Sequence, residues 1–437
     1  MQLGNKEKLK NILNGLNEIV IYRNITNHSL IRKGIKILQE LLKEEPSIEF
    51  IYSEYSSFYK GITEYAFKKR IHKNIWPTFL AEEIACDENP FSRISEKYGF
   101  DSVSNSMIKT IEKEIGILKE LSTINIAETV NNLLNTELPD FENSVNDIFH
   151  EKINNTTFLL ENLWELKGDK FAEYLSNYYR LNGCGIFGKY KAFRWVKQNG
   201  LGQLKGIESV DPVTFEDLIG YEEERKIVIE NTEAFLKGFP ANNVLLYGDK
   251  GTGKSSIVKA LLNEFYKEGL RLIEINKNDI KDLSYILDII KDRGMKFILF
   301  FDDLSFDESE ADYKELKSVL EGGVEVLPSN VVIYATSNRR HIVTENIVDN
   351  ELHNTDAREE KLSLSDRFGI TITFVTPSQE EYLKIVKGLA EKNNIDINWN
   401  VLKEKALRWA MWHNGRSPRS AKQFIDHLRY EIYKNTV

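Results

Sequence analysis

The sequence predicts an α/β core built on a five-stranded parallel sheet, preceded by a mainly α-helical region and followed by a small helical piece. Three observations predict it. Five short apolar, β-rich runs fall in the second half, at residues 243–247, 271–275, 297–301, 331–335 and 371–375. Most are continuously apolar rather than alternating, as strands buried on both faces of a parallel sheet are. Helical patterns such as residues 257–266 separate several of them, and the first ~200 residues repeat apolar side chains at three-and-four spacing.

In the N-terminal region Leu9, Ile12, Leu13, Leu16, Ile19 and Val20 mark one helix face. Leu30, Ile31, Ile35, Leu38, Leu41 and Leu42 mark a second, which Pro46 stops, and Ile108, Ile111, Ile115, Leu118 and Leu121 mark a third. The aromatic residues Tyr52, Tyr55, Phe58, Tyr59, Tyr65 and Phe67 read as core or helix-interface residues rather than a ligand platform. From 181 to 206 glycine becomes frequent, which reads as a connector. After the last apolar run, Ser378 and Glu381 have the spacing of a capping box, so a helix begins there. The expected division is 1–205, helical with its connector; 206–376, the α/β core; and 377–437, the helical C-terminal piece.

Composition bounds the function classes. The chain has 437 residues, enough for two or three domains, and 58 Lys+Arg against 67 Asp+Glu give a net charge of −9. That balance argues against coating nucleic acid, which needs a concentrated positive field. Hydrophobic residues at 41% and charged residues at 29% describe a globular chain rather than a disordered or disulfide-framed one. The two cysteines, Cys86 and Cys184, read as free thiols, and the seven histidines have no zinc-ligand companions. The N-terminus has no signal-peptide pattern and no apolar run reaches membrane-spanning length, so a cytoplasmic protein without a membrane partner is expected.

The strongest chemical signal is the run Gly248, Asp249, Lys250, Gly251, Thr252, Gly253, Lys254 and Ser255. It follows an apolar strand and opens a helix with Ser256, the context in which GxxxxGK[ST] wraps a phosphate. The glycines let the backbone close on the anion, and the loop amides and helix N-terminus supply positive potential. Lys254 is placed to reach the β- and γ-phosphates of a nucleotide, and Ser255 to ligate Mg²⁺. About 50 residues on, the apolar run 297–301 ends in Asp302 and Asp303. Asp302 is the expected Mg²⁺ partner, and Asp303 stands where a general base or water-polarising carboxylate would. The run 331–335 is followed by Thr336, Ser337 and Asn338; Asn338 could orient the attacking water or sense the γ-phosphate, although such residues also compose ordinary turns. The acidic stretch through Asp307, Glu308, Glu310 and Asp312 reads as a solvated loop.

In this order the elements resemble the AAA+ ATPases, over about residue 211 to the C-terminus. GDKGTGKS is similar to their Walker A, FILFFDD to Walker B and ATSN to sensor 1. SDRFG, with Arg367, resembles an arginine-finger segment, with Arg340 and Arg358 as competing candidates. GRSPRSAK, with Arg419, resembles the start of the sensor 2 helix of a C-terminal lid, and TFEDLIG, with Ile219 and Gly220, the segment lining the adenine pocket. The strings DDLSF, YATSNRRH, SDRFG and FGKYKAFRW are similar to those of a bacterial family of unassigned function. The resemblance implies ATP and Mg²⁺ as ligands and a homo-oligomer, such as a hexamer, in which Arg367 reaches a neighbour's γ-phosphate. It also implies Arg419 contacting nucleotide in its own chain, and a protein or nucleic-acid client of unknown identity. One departure stands out. Many AAA+ enzymes end Walker B with Asp-Glu, and Asp303 sets its carboxylate back by one carbon–carbon bond, ~1.5 Å. Slow hydrolysis, or a nonenzymatic ATP-gated switch, is therefore the alternative to a motor; a small-molecule phosphotransferase lacks an evident acceptor site. The run 187–197 interleaves Lys and Arg with aromatics and reads as a connector helix docking rings on the core rather than as a base-stacking surface.

Overall fold

The structure is a computed structural model that describes residues 2–142, 162–166, 170–307, 316–317, 319–320, 327–338, 343–344, 367–413 and 415–436. The chain forms two units, Met1–Lys189 and Tyr190–Val437.

The first unit is helical. Its described helices are α1 (Gln2–Asn17), α2 (Arg23–Asn27), α3 (Ser29–Leu41), α4 (Ile48–Lys69), α5 (Ile75–Cys86), α6 (Pro90–Tyr98), α7 (Asn105–Ser122), α8 (Ile126–Leu134), α9 (Phe171–Asn182) and α10 (Ile186–Lys189). The three expected apolar faces lie on α1, α3 and α7, except that α1 ends before Val20, which is 74% exposed. The buried Glu114 carboxylate accepts the amides of Val20, Ile21 and Tyr22, which fixes the turn a few residues past the helix end. Of the α4 aromatics, Tyr55 and Phe58 are core, Tyr59 and Tyr65 pack against it, and Tyr52 and Phe67 face solvent. Phe58 meets Trp76 and Phe141 edge-on at 5.4 and 5.6 Å.

The second unit carries a seven-stranded sheet, not five, in the order β2-β1-β4-β5-β7-β3-β9. The expected runs are β3 (Val244–Gly248), β4 (Leu270–Glu274), β5 (Lys296–Phe301), β7 (Val331–Ser337) and β9 (Ile370–Phe374), all mutually parallel. The additional strands are β1 (Ala192–Gln198), parallel to β4, and β2 (Leu201–Gly206), antiparallel to β1. The stretch expected as a connector, and its basic-aromatic run expected as a helix, are thus largely a hairpin on the sheet edge. Asn199 and Gly200, with φ +53° and +79°, make its two-residue turn. Gly202 and Gly206 are strand glycines: a Cβ on either would lie within about 2.2 Å of the Trp195 or Tyr190 ring. A separate pair joins β6 (Phe306–Asp307) and β8 (Val343–Thr344).

Helices α11 (Glu222–Leu236), α12 (Lys254–Phe265) and α13 (Leu283–Ile290) alternate with the strands. After β9 come α14 (Gln379–Lys392), α15 (Trp399–Trp412) and α16 (Pro418–Thr436), with a core of their own around Tyr382, Val386, Leu402, Phe424 and Leu428. The capping box that opens α14 is present: Glu381 N donates to Ser378 Oγ at 3.3 Å and Ser378 N to Glu381 Oε2 at 2.7 Å.

Candidate functional site: a phosphate loop beside an acidic strand end

β3 lies between β7 and β9 and delivers the glycine loop to the carboxyl edge of the sheet, where parallel α/β sheets bind ligands. Gly248 cannot be another residue: its φ is +135°, and a Cβ would stand 2.0 Å from the Phe374 carbonyl oxygen on β9. Gly251 and Gly253 follow at φ +81° and +97°, and α12 begins at Lys254, so the helix N-terminus faces the loop.

Lys254 is buried, 6% exposed, and its Nζ donates to the carbonyls of Gly248 and Asp249, both at 2.8 Å, and to Asn338 Oδ1 at 3.4 Å. Burial lowers its pKa, opposed by the carboxylates of Asp249, Asp303 and Asp302. Ser255 Oγ donates to Asp302 Oδ1 at 2.6 Å. Thr336 Oγ1 donates to the same oxygen at 2.6 Å and accepts the Asp303 amide at 2.8 Å. Asp303, at φ +53°, accepts Asn338 Nδ2 on its Oδ1. Aspartate enters this left-handed region more readily than most residues. The structure therefore gathers Lys254, Ser255, Asp302, Asp303 and Asn338 into one network, with Thr336 at its centre.

Alongside lies a cavity of about 570 Å³ between the sheet and the C-terminal helices, lined by Ile219, Gly220, Thr252, Ser256, Ile385 and Arg419 among others. Ile219 packs onto α14, its Cδ1 2.7 Å from where a Cβ on Gly388 would stand. Arg225 holds this wall by donating to the carbonyls of Phe215 and Leu218. The Arg419 amide donates to Gly251 O at 3.2 Å, which ties the start of α16 to the loop. An ion pair between Lys392 and Asp217 joins the cavity's two sides.

Lys250 lies within the loop with its side chain exposed. Arg367, also exposed, precedes β9 and so stands at the amino edge of the sheet; the four steps from Ile370 to Phe374 alone separate it from the loop by about 13 Å. Arg340 and Arg358 lie outside the described residues, as do Glu308, Glu310 and Asp312. In the basic-aromatic run, Arg194 pairs with Glu274 and Lys197 with Asp279 and Asp282, while Phe193 and Trp195 are buried; no base-stacking face results. Sequence reasoning missed Thr336, whose partner Asp302 is distant in sequence; Thr376, whose amide and hydroxyl reach the likewise distant Asp249; and Arg225, whose partners Phe215 and Leu218 are nearby backbone carbonyls.

The residues fit the groups they are expected to hold. Lys254 is a buried ammonium bound to two carbonyls and one amide oxygen, none of them a counter-charge, and Ser255 and Asp302 present hard oxygens side by side, the donor set Mg²⁺ shares with phosphate. Among the described residues no group of three or more His, Cys, Asp or Glu could hold a metal ion.

A glycine loop on a central parallel strand, a polar end on the neighbouring strand β7 and an acidic end on β5 beyond it define a P-loop ATPase of the AAA+ superfamily. The chain belongs to the family described as "Protein of unknown function (DUF815)", which matches residues 188–432. It is similar to the Holliday junction branch migration complex subunit RuvB of Mycoplasmopsis pulmonis, 24% identical over 226 residues, 51% of this chain and 67% of that one. It is also similar to the replication factor C large subunit of Staphylothermus marinus, 34% identical over 90 residues, 20% of this chain; it spans only 21% of that relative's length. Among solved structures, the Thermotoga maritima RuvB Holliday junction branch migration motor matches with TM-score 0.36 and 18% identity, covering 52% of this chain and 68% of that one. Among the described residues no helix is long and apolar enough to cross a membrane.

Proposed function

We propose that the chain binds ATP with Mg²⁺ at the loop 248–255, hydrolyses it slowly, and couples the cycle to conformational change in a cytoplasmic homo-oligomer acting on a client. The observation that carries this reading is the network joining Lys254, Ser255, Asp302, Asp303 and Asn338 beside the cavity. Bound Mg²⁺ would neutralise charge on the phosphates. Lys254, which donates to two loop carbonyls, would hold phosphate oxygens, and Ser255 and Asp302 would hold the metal. Asn338 and Asp303 position water, while Ile219 and Gly220 border the base. The helices α14–α16 act as a lid, and Arg419 reaches the nucleotide from it. Arg367, on the far edge of the sheet, serves a neighbouring subunit's site, which requires an oligomer; a hexamer is the form the resemblance suggests. The names of the similar proteins speak of Holliday junctions and replication, which makes DNA the first client to test.

The short Asp303 carboxylate, engaged by Asn338, favours one alternative: a switch that binds ATP without turnover. Turnover by wild type beside Lys254→Ala, Asp303→Ala and Arg367→Ala, with and without DNA, separates the two. The ATPase reading expects activity lost in all three variants and partly regained on mixing Asp303→Ala with Arg367→Ala subunits. Tight binding with no turnover under any condition refutes hydrolysis and leaves the switch.

A further inference from the structure

Asp249 is held at both ends. Its backbone carbonyl accepts Lys254 Nζ at 2.8 Å. Its carboxylate Oδ2 accepts from both the amide and the hydroxyl of Thr376, at 2.8 and 2.6 Å. Thr376 belongs to residues 375–378, the connection from β9 to α14. Each side of that connection is fixed. Tyr221 Oη donates to Val375 O at 2.6 Å, and its ring stands 5.2 Å from that of Phe374. Beyond it, Ser378 begins α14 with a closed capping box. Thr376 thus occupies the point where strand and helix can pivot, the place where hinges concentrate their dihedral change.

We propose that Asp249 and Thr376 form a latch that transmits the state of the phosphate loop to the C-terminal helices, with Asp249 as a positioning residue. The inference rests on the nucleotide-binding reading above. A phosphate entering the loop draws Lys254 away from the Asp249 carbonyl and brings negative charge towards an ionised carboxylate. Both changes act on the residue that holds the hinge. Removing an ammonium that donates to the backbone frees the Asp249 peptide, and like charge weakens the hold on Thr376. The Thr376 hydrogen bonds keep the Asp249 carboxyl below the usual aspartate range, so it is ionised at neutral pH and feels that charge. The Arg419 amide on Gly251 O gives the loop a second grip, at the start of α16, so the starts of α14 and α16 both answer to one loop.

Hydrogen exchange on the full chain tests this with Thr376→Val, Thr376→Ser and Asp249→Ala. Without nucleotide, Thr376→Val, which loses the hydroxyl bond alone, is expected to speed exchange at residues 376–383 by about tenfold, ~1.4 kcal/mol, and Asp249→Ala, which loses both bonds, by at least as much. Thr376→Ser, which keeps the hydroxyl, restores wild-type exchange. With ATPγS and Mg²⁺, wild type changes its exchange over 376–392. Thr376→Val binds ATPγS within about threefold of wild type yet loses that change. Three outcomes overturn the latch: wild-type exchange in ligand-free Thr376→Val, a full nucleotide-dependent change in that variant, or loss of its nucleotide affinity, which would make Thr376 a binding residue. Failure of wild type to bind ATPγS overturns the nucleotide reading and the coupling with it, a result distinct from all three.

Discussion

Replacing Thr336 by valine keeps the volume and β-branching of a side chain that is 2% exposed, so the change falls on the hydroxyl alone. That hydroxyl donates to Asp302 Oδ1 at 2.6 Å and accepts the Asp303 amide at 2.8 Å. A hydrogen bond to a charged acceptor contributes ~1.5–3 kcal/mol, and the part-buried Asp303 amide left without its partner costs about 1 kcal/mol more, the low end of that penalty. Ser255 still donates to the same Asp302 oxygen, so the carboxylate keeps one of its two hydroxyl partners. The expected loss is therefore about 3 kcal/mol, the lower half of the summed range. For a unit of this size that lowers the melting temperature by roughly 6–12 °C. Differential scanning fluorimetry reads the stability, and a coupled phosphate-release assay reads turnover, which falls with the position of Asp302 and Asp303. Thr336→Ser keeps the oxygen and loses a methyl, at about 1 kcal/mol. A Thr336→Val protein that melts within a degree of wild type with unchanged turnover refutes the argument that this hydroxyl organises the acidic strand end.

Other outcomes follow from the same geometry. Gly248→Ala sets a Cβ 2.0 Å from Phe374 O at φ +135° and should cost about 3 kcal/mol or more, read as a lowered urea midpoint; an unchanged midpoint would be incompatible with the close β3–β9 approach. Burial, then Glu82 and Glu83, push the Cys86 thiol up to about 12, so iodoacetamide at pH 8 should alkylate it at least about a hundredfold more slowly than a free thiol until the unit unfolds. The folded Asp249 carboxyl lies below its unfolded value, so the latch is complete above the unfolded pKa of ~3.9 and is lost as pH falls through the folded one. Exchange at the Thr376 amide should accordingly show an acid-induced loosening near the bottom of that window in wild type and none in Asp249→Ala.

Four of the expected strands, β4, β5, β7 and β3, were legible because burial on both faces leaves little room for polar residues; β5 and β7 are buried almost end to end, whereas β9, at the sheet edge, alternates. The edge hairpin was not. β1 is buried at Phe193 and Trp195 but open at Arg194 and Lys197, and β2 alternates between exposed and half-buried residues, so neither shows the continuous pattern. Its glycines read as linker composition, whereas Gly202 and Gly206 make room for the rings of Trp195 and Tyr190. The dipeptide Asn199-Gly200 was the available signal, since few pairs turn a two-residue hairpin as readily. Val20 shows the converse failure: helical spacing continued past the point where Glu114 captures the backbone.

At the site, contiguous residues were legible and their partners were not, and the sheet register explains both. The loop 248–255 is local, so its chemistry can be read from eight consecutive letters. Thr336 and Thr376 gain meaning only once strand neighbours are known. Pairing of Phe301 with Ala335 sets the next residues, Asp302 and Thr336, side by side at the carboxyl edge. Pairing of Gly248 with Phe374 brings Asp249 to the chain just beyond β9, within reach of Thr376. Pairing of Tyr247 with Ser337 likewise brings Asn338 over the loop to Lys254. Three registers therefore generate three of the site's long-range contacts, each near the carboxyl ends of the paired strands. It follows that a one-residue slip of β7 against β5 would move Thr336 off Asp302 and Asn338 off Asp303 together. The acidic strand end and the polar strand end are in this sense one element, and their side chains should fail or function as a set.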